Sequence, residues 1–147
     1  MKKHTNSDQE ILIKLDDSNA VVPTKGYEGD AGFDLRAIED VTILPHKQCE
    51  VNCGIKIAIP KGYFGLILTR SSYGKQQIQV HHGVIDSGYR GLISVFIYNL
   101  SDKPFSIKKG DKIAQLVILP VPNMKFKKVV ELPNSKRGEK GFGSTGK

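Results

Sequence analysis

The sequence predicts an all-β sandwich or barrel. Short apolar runs recur along its 147 residues, and glycine, proline, asparagine and aspartate, which favour turns, separate them. No segment of about 10 to 12 residues repeats its apolar positions with the 3.6-residue period of an amphipathic helix. Many short strands joined by frequent turns are typical of sandwiches and barrels. The length suits one domain with its own hydrophobic core.

Each predicted element follows from its local pattern. The segment 48–59 has apolar residues at every odd position, which predicts a strand with one buried face. The segment 92–98 is apolar on both faces, which predicts burial by the core on one side and by another subunit on the other. A short helical turn is predicted to begin at Ser71. The predicted strands are Ile11–Leu15, Asp34–Ala37, Val41–Leu44, Gln48–Ile59, Phe64–Thr69, Leu92–Leu100, Phe105–Ile107, Ile113–Pro120 and one near Phe126–Glu131.

The cysteines and the apolar runs limit the class of protein. Cys49 and Cys53 lie four residues apart on a predicted strand, about 13 Å, which is too far for a disulfide. We therefore expect free thiols, and no second Cys or His pair stands at zinc-ligand spacing. The apolar runs are far shorter than a membrane span, and residues 1–4 do not lead into the apolar region of a signal peptide. We expect a cytoplasmic protein with no membrane partner.

Basic and acidic residues are unevenly distributed along the chain. Residues 1–100 carry 11 basic and 11 acidic side chains, whereas residues 101–147 carry 11 basic and 4 acidic ones, which accounts for the whole net charge of +7. A basic C-terminal third favours a polyanionic partner, either a nucleic acid or a phosphorylated small molecule, although a solvated basic face has the same composition.

The last fifteen residues differ from the rest in composition. They hold four glycines and one large apolar side chain, Phe142, so they cannot form a core. We therefore predict a β-barrel domain over 1–132 and a flexible arm over 133–147. The arm contains part of a phosphate-loop pattern, from Gly141 to Lys147, but the Ser or Thr and the helix of the full motif are not seen after it, so we do not expect an NTPase loop. Glycine amides, hydroxyls and Arg137 remain suitable ligands for phosphate.

Three further segments have residue types suited to chemistry, and each also has an ordinary structural explanation. Arg70-Ser71-Ser72 suits an anion site or a simple helix cap. Asp86 follows two apolar residues, which suits a partly desolvated general base or a turn-capping carboxylate. Asp30 and Asp34 suit a magnesium site or a turn.

Taken together and in this order, the motifs resemble the five-motif signature of the homotrimeric dUTPases, over about residues 10 to 146. This resemblance implies a jelly-roll-like distorted β-barrel and three active sites shared between subunits. It also implies Mg²⁺-dependent hydrolysis of dUTP to dUMP and pyrophosphate, which limits uracil in DNA and supplies dUMP for dTMP synthesis. The motifs are Asp30-Ala31-Gly32-Phe33-Asp34-Leu35, Arg70-Ser71-Ser72, Gly83-Val84-Ile85-Asp86 through Tyr89-Arg90-Gly91, Gly110-Asp111-Lys112-Ile113-Ala114-Gln115-Leu116, and Arg137-Gly138 with Gly141-Phe142-Gly143-Ser144-Thr145-Gly146.

The resemblance also implies a role for each matching residue. Asp86 would activate the water that attacks the α-phosphorus, Tyr89 would exclude a ribose 2′-OH, and Asp34 would hold Mg²⁺ through water. The other implied substrate-binding residues are Arg70, Ser71, Ser72 and Gln115 at the phosphates, Val80 and Gly83 on the uracil hairpin, Arg137 at the γ-phosphate, and Phe142, Gly143, Ser144 and Thr145 in the arm.

The sequence departs from the family pattern immediately before Gly83. The pattern usually reads Gly-Ala there, whereas this chain has His81-His82. Adjacent residues of a strand point to opposite faces, so the two histidines are not expected to form a metal pair, and at least one is expected to be exposed.

Three other functions compete with dUTP hydrolysis. The dCTP deaminases resemble this fold, but they place a glutamate five residues after the glycine that corresponds to Gly91, and this chain has Phe96 there. A regulatory member without catalysis, as among some phage proteins, is disfavoured because Asp86, Arg137 and Phe142 are present. A nucleic-acid-binding protein is disfavoured because the arm lacks repeated aromatic residues.

Overall fold

The structure, a computed structural model, describes residues 9–141 and is almost entirely β. This confirms the predicted fold class. Its elements are β1 (Leu12–Leu15), β2 (Gly32–Arg36), β3 (Val41–Ile43), β4 (Gln48–Asn52), β5 (Ile55–Ala58), β6 (Tyr63–Leu68), α1 (Ser71–Gly74), β7 (Ile78–Val80), β8 (Val84–Ile85), β9 (Ser94–Asn99), β10 (Phe105–Ile107) and β11 (Lys112–Pro120).

All strand pairs are antiparallel, and four sheets surround the core. One sheet has the order β2-β11-β6-β8, another has the order β4-β9-β7, and β1-β5 and β10-β3 form two-stranded sheets. Side chains alternate along each strand, as β9 illustrates: Val95 and Ile97 are buried, whereas Phe96 faces outward. The buried isoleucines, valines and leucines form one continuous core.

The single strand predicted over 48–59 is wrong, because the chain breaks it at Gly54. This glycine has a φ of +66°, and a Cβ there would lie 2.9 Å from Ile38 and 3.0 Å from Ala20. Only glycine adopts this conformation in so little space without strain. The turn sends β4 to pair with β9 and β5 to pair with β1. The predicted burial of the odd positions is nevertheless confirmed from Val51 to Ile59, whereas Cys49 is only half-buried; both Cys49 and Cys53 are free thiols.

Two short strands, β7 with three residues and β8 with two, were not predicted. They belong to different sheets, so residues 81–83 cross from one sheet to the other. The main chain continues pairing on both sides of this crossing: the His81 N–H donates to the Phe96 carbonyl at 2.8 Å, and the Ile67 N–H donates to the Gly83 carbonyl at 2.9 Å.

The strand predicted near 126–131 is absent from the structure. The last strand, β11, ends at Pro120, and residues 121–132 are all exposed, including Met124, Phe126 and Val130. A strand needs a partner edge, and within the described chain this segment has none. Between residues 9 and 141 the only helix is four residues long, so no helix there could cross a membrane.

Candidate functional site

A charged pocket of about 340 Å³ lies where β2, β11 and the end of β6 meet. Its wall includes Asp30, Asp34, Arg70, Ser71, Lys112 and Gln115. Four of these six were predicted as site residues, and Asp30 was noted with Asp34 as a pair of carboxylates. Strand pairing brings them together, because Gln115 of β11 stands opposite Asp34 of β2 on one side and Leu68 of β6 on the other.

The carboxylate of Asp34 contacts two cations. The Lys112 ammonium lies 2.9 Å from Oδ2, and Arg70 Nε lies 3.6 Å from Oδ1. The Asp34 side chain is only 14% exposed, so these ion pairs are less screened than surface pairs. Arg70 also donates to the Lys112 carbonyl at 3.2 Å, which ties both cations to one corner of the pocket.

Gln115 reaches the charged pocket because Gly32 leaves room for it. A Cβ on Gly32 would lie 3.0 Å from the Gln115 Cβ and closer still to its side-chain oxygen. The Gln115 side chain donates to the Thr69 carbonyl at 3.2 Å, which fixes the amide beside Arg70. A larger residue at position 32 would therefore displace the Gln115 side chain.

The short helix α1 begins after Arg70, whose backbone is extended and whose side chain makes no capping hydrogen bond. The N-cap residue of this helix is therefore Arg70 and not a serine. Ser71 instead lines the charged pocket. Ser72 is exposed, and its carbonyl accepts a hydrogen bond from the side chain of Gln76 at 3.1 Å.

An apolar pocket of about 290 Å³ lies at the crossing between β7 and β8. Its wall includes Ile67, His81, Gly83, Tyr89, Ser94 and Phe96. The Tyr89 hydroxyl donates to the Leu92 carbonyl at 3.1 Å, which holds the ring in place. Gly91 permits this arrangement, since a Cβ there would lie 2.5 Å from Cζ of the Tyr89 ring.

Residues in and just after β6 contribute to both pockets. Ile67 lines the apolar pocket, and Arg70, three residues further along, lines the charged pocket. The apolar pocket suits a flat, apolar group, and the charged pocket suits an anionic group.

Asp86 follows directly after β8, at the start of a turn in which the Tyr89 N–H donates to the Asp86 carbonyl at 3.0 Å. The sequence suggested partial desolvation of this carboxylate, but Asp86 is exposed in the structure. The apolar residue before it, Ile85, points into the core, and the alternation of the strand turns Asp86 outward.

The remaining predicted site residues are placed differently from the pocket walls. Val80 is fully buried, and both its backbone groups bond to the Thr69 hydroxyl, at 2.9 and 3.3 Å, so it lies behind the apolar pocket rather than on its wall. Arg137 is exposed and donates to the Lys140 carbonyl at 2.9 Å. Phe142, Gly143, Ser144 and Thr145 lie outside the described residues.

Sequence reasoning named no binding role for Lys112, His81 or Phe96. Lys112 belongs to the segment 110–116, so its motif was visible, but its contact with Asp34 depends on strand pairing. His81 and Phe96 were noted only as departures from family patterns. Both histidines are exposed, as expected, and His81 is the one that lines the apolar pocket.

A family model described as dUTPase matches residues 18–146 of the chain. The chain belongs to the dUTPase family. It is 42% identical to the deoxyuridine 5′-triphosphate nucleotidohydrolase of Clostridium novyi, with 92% of this chain and 98% of the relative covered. It is 43% identical to the enzyme of the same description from Candida albicans, with 99% of this chain and 94% of the relative covered. The chain is accordingly a dUTP diphosphatase.

Solved structures of phage dUTPases agree with the fold. The Staphylococcus bacteriophage 80alpha dUTPase with dUpNHpp superposes with a TM-score of 0.89 at 31% identity, covering 95% of this chain and 99% of that one. A mutant dUTPase of phage phi11 of S. aureus, described as coordinating a structural Mg(II) ion, gives a TM-score of 0.81 at 26% identity, with 86% and 100% covered. This dUTPase therefore has a jelly-roll-like β fold.

Proposed function

We propose that this dUTPase cleaves dUTP to dUMP and pyrophosphate by in-line attack of an Asp86-activated water on the α-phosphorus, assisted by Mg²⁺. The observation that carries the proposal is the presence of two pockets of different character, an apolar one lined by Gly83 and Tyr89 and a charged one lined by Asp34, Arg70 and Gln115. This reaction limits uracil in DNA and yields dUMP for dTMP synthesis.

The apolar pocket takes the base and sugar. Gly83 contributes backbone without a side chain, which lets a flat ring approach the hairpin closely. The Tyr89 ring, held by its bond to the Leu92 carbonyl, packs on the deoxyribose and occupies the space that a 2′-OH would need. Selection for the deoxyribose then depends on the position of this one ring.

The charged pocket takes the triphosphate. Arg70 and Lys112 supply two cations, and Ser71 and Gln115 supply hydrogen-bond donors, on a wall whose carboxylates are Asp30 and Asp34. Arg137 and the arm residues Phe142, Gly143, Ser144 and Thr145, with Ser72, complete the binding once substrate is present. Positive charge near the bridging oxygens stabilises the negative charge that develops as the pyrophosphate leaves.

The side chains of the charged pocket suit Mg²⁺. Mg²⁺ keeps several of its waters and is usually held by one or two carboxylates together with substrate phosphates, and the pocket offers the carboxylates Asp30 and Asp34. Between residues 9 and 141 no cluster of three or more potential metal ligands occurs, so substrate and water oxygens would supply most of the ligands. The bound ion would neutralise phosphate charge and polarise the α-phosphoryl group.

Asp86 takes the proton of the attacking water. An ionised carboxylate accepts hydrogen bonds only, so it orients a water with a lone pair directed away from itself, toward the phosphorus. The exposed position of Asp86 at the end of β8, beside the apolar pocket, leaves space for that water.

Association into a homotrimer is supported by one exposed apolar segment. Residues 121–132 follow the last strand with Phe126 and Val130 uncovered. Neighbouring subunits would cover these side chains and give the segment 121–132 a strand edge. Light scattering should give a mass three times that of one chain, and a monomer at micromolar concentration would contradict the shared active site. The cytoplasmic location remains a prediction.

The decisive experiment incubates the protein with Mg²⁺ and each deoxynucleoside triphosphate in turn. We expect pyrophosphate from dUTP alone. Ammonia from dCTP would instead indicate the deaminase of related fold, which Phe96 disfavours, because this apolar ring stands on the pocket wall and cannot transfer a proton.

A further inference from the structure

We propose that His81 is a base-binding residue of this enzyme, whose imidazole N–H donates a hydrogen bond to a carbonyl oxygen of the pyrimidine. The inference rests on the proposed function, because it assigns the apolar pocket to the base. It concerns a side chain that replaces the glycine usual at this point of the family pattern.

The main chain fixes which way His81 points. The pairing of β7 with β9 sets Val80 opposite Ile97, and both are buried. The His81 N–H donates to the Phe96 carbonyl at 2.8 Å, which extends the ladder by one residue. His81 and Phe96 therefore share the outward face, and both stand on the wall of the apolar pocket.

Only three side chains on this wall carry atoms that form conventional hydrogen bonds: His81, Tyr89 and Ser94. The Tyr89 hydroxyl donates to the Leu92 carbonyl, and the Ser94 hydroxyl donates to the Glu50 carboxylate. Within residues 9–141 the His81 imidazole has no protein partner. Among the lining side chains, it is thus the one whose donor is free for a ligand.

The chemistry of the two partners is complementary. A neutral imidazole always carries one N–H donor, whichever tautomer it adopts. Uracil has two carbonyl acceptors on its ring, and the remaining wall of the pocket is largely apolar, with Ile67, Leu92 and Phe96 around it. Because His81 is exposed in the structure, we expect this bond to contribute as much as one ordinary neutral hydrogen bond.

The test measures dissociation constants of the full-length protein by calorimetry, with dUMP as the probe. His81→Ala should weaken dUMP binding about tenfold, the loss expected for one hydrogen bond in the pocket. His81→Gln, which keeps an N–H donor of similar reach, should recover most of the affinity. His82→Ala is the matched control, because this neighbouring histidine is also exposed but does not line the pocket, and its dUMP affinity should stay within about twofold.

Two further probes separate contact with the base from a general charge effect. His81→Ala should weaken the binding of deoxyuridine, which lacks phosphate, by the same factor as the binding of dUMP. The affinity for inorganic triphosphate, which lacks a base, should stay unchanged. The melting temperature of each variant should match that of the unaltered protein, since all variants keep the backbone bond to Phe96.

The outcomes distinguish a failure of the role of His81 from a failure of the proposed function. If the unaltered protein binds dUMP and His81→Ala binds it equally well, the role of His81 is overturned and the proposed function stands. A loss confined to inorganic triphosphate would also overturn it. If the unaltered protein does not bind dUMP at all, both proposals fall together.

Discussion

Lys112 and Asp34 form an ion pair across neighbouring strands, with Nζ 2.9 Å from Oδ2. Arg70 approaches the other carboxylate oxygen at 3.6 Å, so one aspartate orients two cations of the charged pocket. Asp34 was predicted to hold Mg²⁺ through water. Its two ion pairs give Asp34 a second role, because they hold in place the cations that would bind the triphosphate.

The first prediction concerns Asp34. Asp34→Asn removes the charge that orients Lys112 and Arg70 and weakens the acceptor for a metal-bound water. We expect the Mg²⁺ concentration for half-maximal pyrophosphate release to rise about tenfold, as when outer-shell partners of a metal are lost. Asp40→Asn is the matched control, because Asp40 is an exposed carboxylate paired with Lys108 outside both pockets. An unchanged Mg²⁺ requirement would show that Asp34 does not contribute to the metal site.

The second prediction concerns Asp86. Asp86→Asn should keep the fold and the affinity for dUMP, because the amide has the same shape and the site is exposed. The turnover number should fall by about 10² to 10⁴, the usual contribution of a general base. Steady-state pyrophosphate release at saturating dUTP provides the measurement, and a fall of less than tenfold would assign the base elsewhere.

The third prediction concerns the contact of Gly91 with Tyr89. Gly91→Ala forces the Tyr89 ring to move, because the new Cβ would overlap it. If that ring excludes the 2′-OH, the ratio of kcat/KM for dUTP over UTP should fall. Gly88→Ala lies in the same loop, and its Cβ would meet nothing within 4 Å, so this control should leave the ratio unchanged.

A direct version of the third test replaces the ring itself. Tyr89→Ala should raise the rate on UTP relative to dUTP. If neither Tyr89→Ala nor Gly91→Ala changes the ratio, sugar selection resides in another part of the pocket.

The fourth prediction concerns stability at alkaline pH. Burial raises the pKa of the Cys53 thiol from 9.0 to about 12 and the pKa of the Tyr73 phenol from 10.0 to about 12. The unfolded chain ionises these groups first, so the stability that the neutral groups contribute is complete below pH 9 and is lost between about pH 9 and 12. The melting temperature should fall over this range.

Matched variants identify the groups responsible for that fall. Tyr73→Phe should make the decrease in melting temperature between pH 9 and 11 shallower, because the ionisable group is gone while the ring packing on Phe105 remains. Tyr27→Phe, at a tyrosine that is 82% exposed, should leave the decrease unchanged. Equal slopes in all three proteins would show that other groups cause the alkaline unfolding.

The fifth prediction concerns the arm. Deletion of residues 133–147 should barely change the melting temperature without ligand, since residues 133–141 are all exposed in the structure. The same deletion removes Arg137 and Phe142, which we expect to act once dUTP and Mg²⁺ are bound. A loss of about 3 kcal/mol in the transition state is a factor near 10², so kcat/KM should fall about a hundredfold. A truncated protein with nearly full activity would show that the arm is a solvated appendage.

The sequence by itself determined the fold class and the inner face of the strands. Alternation at the odd positions from Cys49 to Ile59 predicted burial, and the structure buries those from Val51 to Ile59 and half-buries Cys49, even though Gly54 divides the segment into two strands. Alternation is a local property, because successive side chains of extended backbone point to opposite faces whichever partner strand is present. The order of the motifs also identified the family.

Tertiary structure alone decided which residues meet. Pairing of β11 between β2 and β6 places Gln115 beside Asp34 and brings Lys112 to the same corner, although no local pattern links them. The segment 126–131 has the composition of a strand but no partner edge in the single chain, so it remains unpaired. Strand pairing and ion pairs join residues far apart in sequence, and their geometry depends on sheet register, which short-range periodicity does not encode.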